Sequence, residues 1–455
     1  MSGRRYRPPK LPTDPVVLSI TGLSHEGRGI AHIDGKVAFV DGALPDEQVS
    51  ATFVRRRSQL DELRMEAVIK AAADRVQPQC EFAGTCGGCS LQHMHPDAQI
   101  AFKQRVLLEQ LKHATSANFE LLPHLQSGSY HYRRKARLAV RMVLKKGGAL
   151  VGFREKYSGF ITDMDNCQVL HASVAVLIKP LRGLISQLHG SHALPQIEIA
   201  VGEHAADLST ENNAHVALVL RHMEALHAED LLALEEFANL HNVDMYLQPG
   251  GADSVHKLYP AGTPPRLAYY LPDYDLRLEF HPLDFTQING EINRLIIRQA
   301  LTLLDLNSTD IVLDLFCGLG NFTLPIARSC HKVIGVEGSQ EMVSRGEENA
   351  RSNKIHNAAF HAANLCEPLA DKSWAREKFT KILLDPPRSG AMEIIPQIAA
   401  LGASKIVYIS CNPATLARDS AALVAAGYRL QAAGVMDMFP HTTHVESMAV
   451  FVPNK

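Results

Sequence analysis

The chain has 455 residues, 46% hydrophobic and 21% charged, with a formal net charge of −2; this allows roughly two to four domains with real cores and excludes a disordered or fibrous composition. It has no apolar run of membrane-spanning length, a basic, Pro-rich start without a signal-peptide core, and eight cysteines, too sparse for a secreted disulfide scaffold, so a cytoplasmic protein is expected. Residues 1–160 hold 24 Lys and Arg against 15 Asp and Glu, and the remainder holds 22 against 33, which points to a basic N-terminal third suited to phosphates.

Residues 1–13 are expected to form a basic, disordered arm. Residues 14–72 then read as all-β, with strands at 16–20, 27–33, 36–40, 48–55 and 64–70 and an Asp34-Gly35 hairpin turn. Short strands in such quick succession predict a small barrel of OB type. The run Leu23-Ser24-His25-Glu26-Gly27-Arg28-Gly29-Ile30-Ala31 resembles the start of a TRAM domain, which implies RNA binding.

Residues 73–279 read as a central α/β domain. Cys80, Cys86 and Cys89 cluster, with Cys167 far along the chain. Four thiolates suit a 4Fe–4S cluster or a tetrahedral zinc; zinc sites more often carry two Cys-x-x-Cys pairs, and here there is one. Apolar spacing predicts a helix over about 97–115 that packs on the catalytic domain. The stretch Tyr130-His131-Tyr132-Arg133-Arg134-Lys135-Ala136-Arg137 interleaves aromatics with cations. Arg133, Arg134, Lys135 and Arg137 are therefore candidates for RNA phosphates beside stacked bases; the plainer reading is a charged edge strand.

From residue 280 the pattern becomes buried strands (311–316, 332–337, 381–385, 405–410) alternating with helices, which predicts a doubly wound parallel sheet. The first strand runs into Phe316-Cys317-Gly318-Leu319-Gly320-Asn321, a loop that lets a ligand approach the backbone. Glu337 ends the next strand 19 residues after Gly318, where an acid accepts from ribose hydroxyls. Thr323 stands where a dinucleotide fingerprint wants a small residue, which disfavours a nicotinamide enzyme. Asp385-Pro386-Pro387-Arg388 ends a third strand and Cys411-Asn412-Pro413 a fourth, at the same edge. Glu446 precedes a last strand at 447–452. A lone Cys is ordinarily apolar packing, the role assigned to Cys317, Cys330 and Cys366, and a lone Glu is ordinarily a surface charge. Together beside a methyl donor, a thiol and a carboxylate suggest methylation at a pyrimidine carbon, with the thiolate adding to C6 to activate C5 and the carboxylate removing the C5 proton.

Residues 314–321, Asp385-Pro386-Pro387-Arg388, Ser410-Cys411-Asn412-Pro413 through Thr415-Leu416 and Arg418-Asp419, and His444-Val445-Glu446 resemble the RNA uridine-5-methyltransferase family. The resemblance spans essentially the whole chain. It implies a Rossmann-like class I methyltransferase domain over 280–455 using S-adenosylmethionine, Cys411 as nucleophile and Glu446 as general base. It implies Gln287, Phe316, Gly318, Gly320, Asn321, Glu337, Asn364 and Asp385 as cofactor and site residues, with Phe285 flanking the target base. Barrel, cysteine cluster and catalytic domain together resemble the ribosomal-RNA branch. That branch implies a 4Fe–4S cluster on Cys80, Cys86, Cys89 and Cys167, and uridine 1939 of 23S ribosomal RNA, flipped out of its stack, as target. The alternatives are another ribosomal or transfer-RNA uridine, or a non-catalytic iron–sulfur RNA-binding protein. Nothing in the chain demands more than a monomer.

Overall fold

The N-terminal strands are β1 (Val16–Ser19), β2 (Gly22–Leu23), β3 (Gly29–Ile33), β4 (Lys36–Asp41), β5 (Gln48–Arg56) and β6 (Leu60–Lys70), hydrogen-bonded in the order β1-β5-β6-β4-β3-β2. This computed structural model describes residues 11–115, 118–209, 213–369 and 372–454, so most of the expected basic arm, residues 1–10, lies outside the described residues. The stretch from β1 to β2 bends so that it edges both ends of the sheet. Ile20 N–H donates to Glu47 O at 2.9 Å and Thr21 N–H to Ile30 O at 2.8 Å, which closes a barrel. Alternate residues Leu18, Ala38, Val40, Val49, Ala51 and Leu63 fill its interior. Relative to the expected five strands, β2 is added and the last strand begins earlier, at Leu60.

The chain divides into two compact units, Met1–Phe102 with His441–Thr443, and Lys103–Pro440 with His444–Lys455. The second unit holds three sheets. After the long helix Pro96–Ala114 comes the short β7 (Glu120–Leu121). A central sheet follows: β8 (Lys135–Val143), β9 (Gly148–Gly152), β10 (Gln196–Glu203), β11 (Ala214–Arg221), β12 (Asp244–Gln248) and β13 (His256–Tyr259), in the order β13-β12-β11-β10-β8-β9. Only its β11–β12 pair is parallel. The hairpin β14 (Leu267–Leu271) and β15 (Leu276–Phe280) leads to the helix Gly290–Leu304, whose N-terminus is capped by the Asn289 side chain accepting from Ile292 N–H.

The last sheet comprises β16 (Ile311–Leu315), β17 (Lys332–Glu337), β18 (Ala358–Ala362), β19 (Lys381–Leu384), β20 (Lys405–Ser410), β21 (Tyr428–Met436) and β22 (Glu446–Pro453). Its order is β18-β17-β16-β19-β20-β22-β21-β7, and β16 to β20 are mutually parallel. These parallel strands are buried on both faces, hence their near-continuous Val, Ile and Leu. The chain winds outward one way through β17 and β18, then the other way through β19 and β20. The reversal opens a crevice beyond the carboxyl ends of β16 and β19, the ligand position in such sheets. One apolar core joins the central sheet, the hairpin, the Gly290–Leu304 helix and the last sheet. Among the described residues no helix is long and apolar enough to cross a membrane.

Candidate active site

At the carboxyl end of β16, Phe316 takes φ +64°, Gly318 +54° and Gly320 +98°. Glycine accepts such angles freely, whereas Phe316 is held there at a cost of about 1–3 kcal/mol. The turn is fixed to β17: Phe316 N–H donates to Val336 O at 2.9 Å and Gly318 N–H to the Glu337 carboxylate at 3.2 Å. Glu337 also accepts from Gly338 and Ser339 N–H. Asp314 beneath the turn is fully buried. One of its oxygens accepts from the Thr323 hydroxyl at 2.5 Å, and the other has no hydrogen-bond partner.

Asn321 reaches the other wall. It accepts from Tyr269 Oη at 2.8 Å and exchanges hydrogen bonds with Asn293. Asn293 and Gln287 line the same small recess. The loop carrying Phe285 and Gln287 is anchored through Asp284, which pairs with the buried Arg345 at 2.9 Å on the helix after β17. Phe285 itself is 73% exposed. Asn364 lies exposed in the turn after β18, accepting from Cys366 N–H.

The reacting pair is placed by register. β20 and β22 run antiparallel and their ladder ends at Ser410 opposite Ser447; Cys411 follows Ser410, Glu446 precedes Ser447, and Glu446 acts electrostatically on the Cys411 thiol. Asn412 caps the helix Pro413–Ala425, which makes Cys411 the hinge between strand and helix. Asp385, one residue past β19, stays tied to β16 through its N–H to Leu315 O. The Pro386–Ala391 loop is held from the Pro413–Ala425 helix: Arg418 donates to Ser389 O at 2.8 Å, and buried Asp419 accepts from Ala391 N–H at 2.7 Å.

These groups act on one another. Burial, with added repulsion from Asp385 and Glu337, pushes the Asp314 carboxyl up to about 8. Burial lifts Asp385 to about 7. Burial and then Asp385 lift Glu446 to about 8, opposed by Lys103. Burial, Glu446 and Asp385 lift the Cys411 thiol to about 11, opposed by Arg388. A crowd of buried acids beside a glycine turn is a poor site for an anion and a good one for a cation. The unpartnered Asp314 oxygen adds to that demand. A ligand carrying an ammonium and a sulfonium fits it.

Sequence reasoning missed Lys103. Fully buried on the helix Pro96–Ala114, it donates to Asp437 at 2.5 Å and to Phe439 O at 2.9 Å, so it anchors the segment between β21 and Glu446. The available signal was a lysine on the apolar stripe of Ile100, Leu107 and Leu111. Thr323 was read only as a departure from a fingerprint, yet it hydrogen-bonds Asp314.

The candidate RNA cations have partners within the protein. Arg134 pairs with buried Glu203 at 2.9 Å, which Arg294 also holds. Lys135 donates to Asp284 O, and burial lowers its ammonium to about 8. Arg137 pairs with Glu198 at the surface, and Arg133 lies over the Phe153 ring. Cys80, Cys86 and Cys89 fall in the first unit and Cys167 in the second. Cys86 Sγ accepts from Gly88 N–H at 3.4 Å, and among the described residues no cysteine forms a disulfide. Among the described residues no three His, Cys, Asp or Glu side chains form a group that would hold a metal ion. Thiolates around a cubane bond different irons, so they need not crowd as four ligands at about 2.3 Å do around one zinc.

Crevice, glycine turn, cysteine and carboxylate together define a methyltransferase of the cysteine-adduct class. The family model described as tRNA (Uracil-5-)-methyltransferase matches residues 96–454, and that of the TRAM domain matches residues 16–57. The chain belongs to this uracil-5-methyltransferase family. It is 50% identical to a Hahella chejuensis protein named 23S rRNA (uracil(1939)-C(5))-methyltransferase RlmD, over 99% of both chains. An Alkalilimnicola ehrlichii protein of the same name is also 50% identical, over 99% of this chain and 98% of its own. Among solved structures, the Pyrococcus abyssi tRNA (uracil-54, C5)-methyltransferase in complex with S-adenosyl-L-homocysteine matches with a TM-score of 0.73 at 22% identity, over 96% and 99% of the two chains; this likeness shows the shared fold.

Proposed function

We propose that the protein transfers a methyl group to C5 of uridine 1939 in 23S ribosomal RNA. The observation that carries the chemistry is that Cys411 and Glu446 flank the last β20–β22 pair, Ser410 and Ser447, and act electrostatically on each other. The full-length likeness to the ribosomal-RNA enzymes supports the target. S-adenosylmethionine supplies an electrophilic methyl group when bound. Gln287, the turn from Phe316 to Asn321, Glu337, Asn364 and Asp385 are assigned to holding it. The Cys411 thiolate adds to uracil C6, and the electron pair moved onto the ring makes C5 nucleophilic. Once C5 carries the methyl, Glu446 takes the C5 proton and the Cys411–C6 bond breaks by elimination, returning the thiolate and the aromatic ring. Phe285 is assigned to the flipped base, and the barrel with Arg133, Arg134, Lys135 and Arg137 to the RNA around it.

We further assign a 4Fe–4S cluster to Cys80, Cys86, Cys89 and Cys167. Four cysteines outside any disulfide, three of them buried, and an N–H aimed at Cys86 sulfur support that donor set. Methyl transfer needs no electron, so the cluster takes a structural part. The division into barrel (14–72), central (73–279) and catalytic (280–455) parts, a monomer, and a cytoplasmic location with the ribosome belong to the same reading.

The test is adduct trapping on a 23S RNA fragment containing position 1939. Glu446→Gln is expected to accumulate a protein–RNA species on a denaturing gel, because the proton stays on C5. Cys411→Ala is expected to form none and to lose turnover by at least about 10³-fold. Normal turnover in either variant overturns the assignment.

A further inference from the structure

Beyond β9 the chain makes a tight turn, residues 153–161, that methyl transfer does not use. Its frame is closely hydrogen-bonded. Glu155 N–H donates to Phe160 O and Thr162 N–H to Phe153 O, both at 2.9 Å, and Arg154 donates to Gly159 O at 2.9 Å. The Ser158 hydroxyl donates to the Glu155 carboxylate at 2.8 Å and accepts from Phe160 N–H at 3.1 Å. Tyr157 is held at φ +60°, a conformation that disfavours a side chain of this size.

This frame sets two large aromatic side chains in water, with Tyr157 70% and Phe160 67% exposed. Folding alone does not reward that placement. The sequence around it leans basic: residues 130–165 hold nine Lys and Arg against Glu155, Asp163 and Asp165, with Arg134, Lys135, Arg137 and Lys146 tied to groups within the protein. The turn also connects toward the reacting site. Arg133 lies 5.8 Å from the centroid of the Phe153 ring. Its backbone bridges to Asn289, the cap of the helix after Gln287. It also acts electrostatically on His444, two residues before Glu446.

We propose that the 153–161 turn is a stacking platform for unpaired RNA bases flanking the target uridine, with Tyr157 and Phe160 taking bases on their ring faces and Arg154 and Lys156 holding phosphates. The inference rests on the uridine reading, because flipping one base out of an RNA loop leaves its neighbours without a stacking partner. Aromatic faces beside the cations Arg154 and Lys156 replace that partner.

The experiment measures equilibrium binding of a 23S RNA hairpin fragment around position 1939 by three full-length proteins: wild type, Tyr157→Ala with Phe160→Ala, and Tyr157→Phe with Phe160→Tyr. Base–aromatic stacking corresponds to roughly 5- to 150-fold in affinity per base. The alanine pair is expected to weaken binding at least about fivefold with an unchanged salt slope, since no phosphate contact is lost, and the aromatic swap is expected to bind as wild type. Affinity within about twofold of wild type in the alanine pair overturns the platform. So does a change in self-association at unchanged RNA affinity, which would make the turn a protein contact. Methylation of the same fragment by wild type is scored separately. A wild type that binds through the turn yet leaves uridine 1939 unmethylated overturns the target and leaves the platform standing.

Discussion

Single residues at the reacting centre are held against the charge they need. In the proposed reaction Cys411 would attack as a thiolate, yet its thiol is pushed up to about 11, and Glu446 would accept a proton as a carboxylate, yet its carboxyl is pushed up to about 8. Both shifts begin in burial and continue in the neighbouring acids, so a cation among them lowers both together. Lys103 is one such cation, built in beneath Glu446. Removing its charge raises the Glu446 carboxyl further, and the carboxylate then forms only at higher pH. Lys103→Met alone would strand Asp437 as a lone buried charge, which costs about 3–5 kcal/mol; pairing it with Asp437→Asn avoids that. The double variant is expected to move the acid limb of the pH–rate profile upward and to slow turnover near pH 7 by about tenfold, while Lys103→Arg keeps the wild-type limb. A pH profile identical to wild type in the double variant would show that Lys103 only supports the segment.

At the scale of elements, several motif residues near the reacting pair act as scaffold. Arg418 and Asp419 fix the Pro386–Ala391 loop, and Thr323 and Arg345 fix the turns on the cofactor side. Packing is tight where the helix Gln340–Ser352 crosses β18. A Cβ on Gly346 would stand 2.5 Å from the Phe360 ring, and the same ring lies 3.2 Å from where a Gly320 Cβ would be. Alanine in a helix normally gains about 0.5–1 kcal/mol over glycine, but overpacking here costs about 1–3 kcal/mol and dominates. Gly346→Ala is expected to lower the melting temperature by roughly 2–10 °C and to weaken S-adenosylmethionine binding as Phe360 moves toward the glycine turn; an equal or higher melting temperature would contradict the packing. The parallel strands were legible in the sequence because buried strands are written as continuous apolar runs, and Cys411 and Glu446 because each ends a segment of recognisable spacing. The ladder joining them was not legible, since pairing between segments 35 residues apart leaves no local periodicity. The partners of Arg134 and Lys135 lie 69 and 149 residues away, so two cations that look available in the sequence prove to be tied to the fold.

Over the whole molecule the charge divides by task. The excess of Lys and Arg lies in residues 1–13, four against no acid, and in residues 73–160, thirteen against six, while the barrel itself holds seven against nine; acids gather at the carboxyl ends of β16 and β19. Protein purified without oxygen is expected to be brown, with about four irons per chain, and to bleach in air without losing its methyl-transfer chemistry at once; stoichiometric zinc in place of iron would overturn the cluster. The shared ladder of β20 and β22 bears on how such an enzyme handles a large, shape-changing substrate. Glu446 opens β22 and Cys411 stands one residue beyond β20, strands whose spacing of about 4.8 Å is set by backbone hydrogen bonds. Loops can therefore yield as RNA enters and leaves, while the backbone to which Cys411 and Glu446 are attached keeps its spacing.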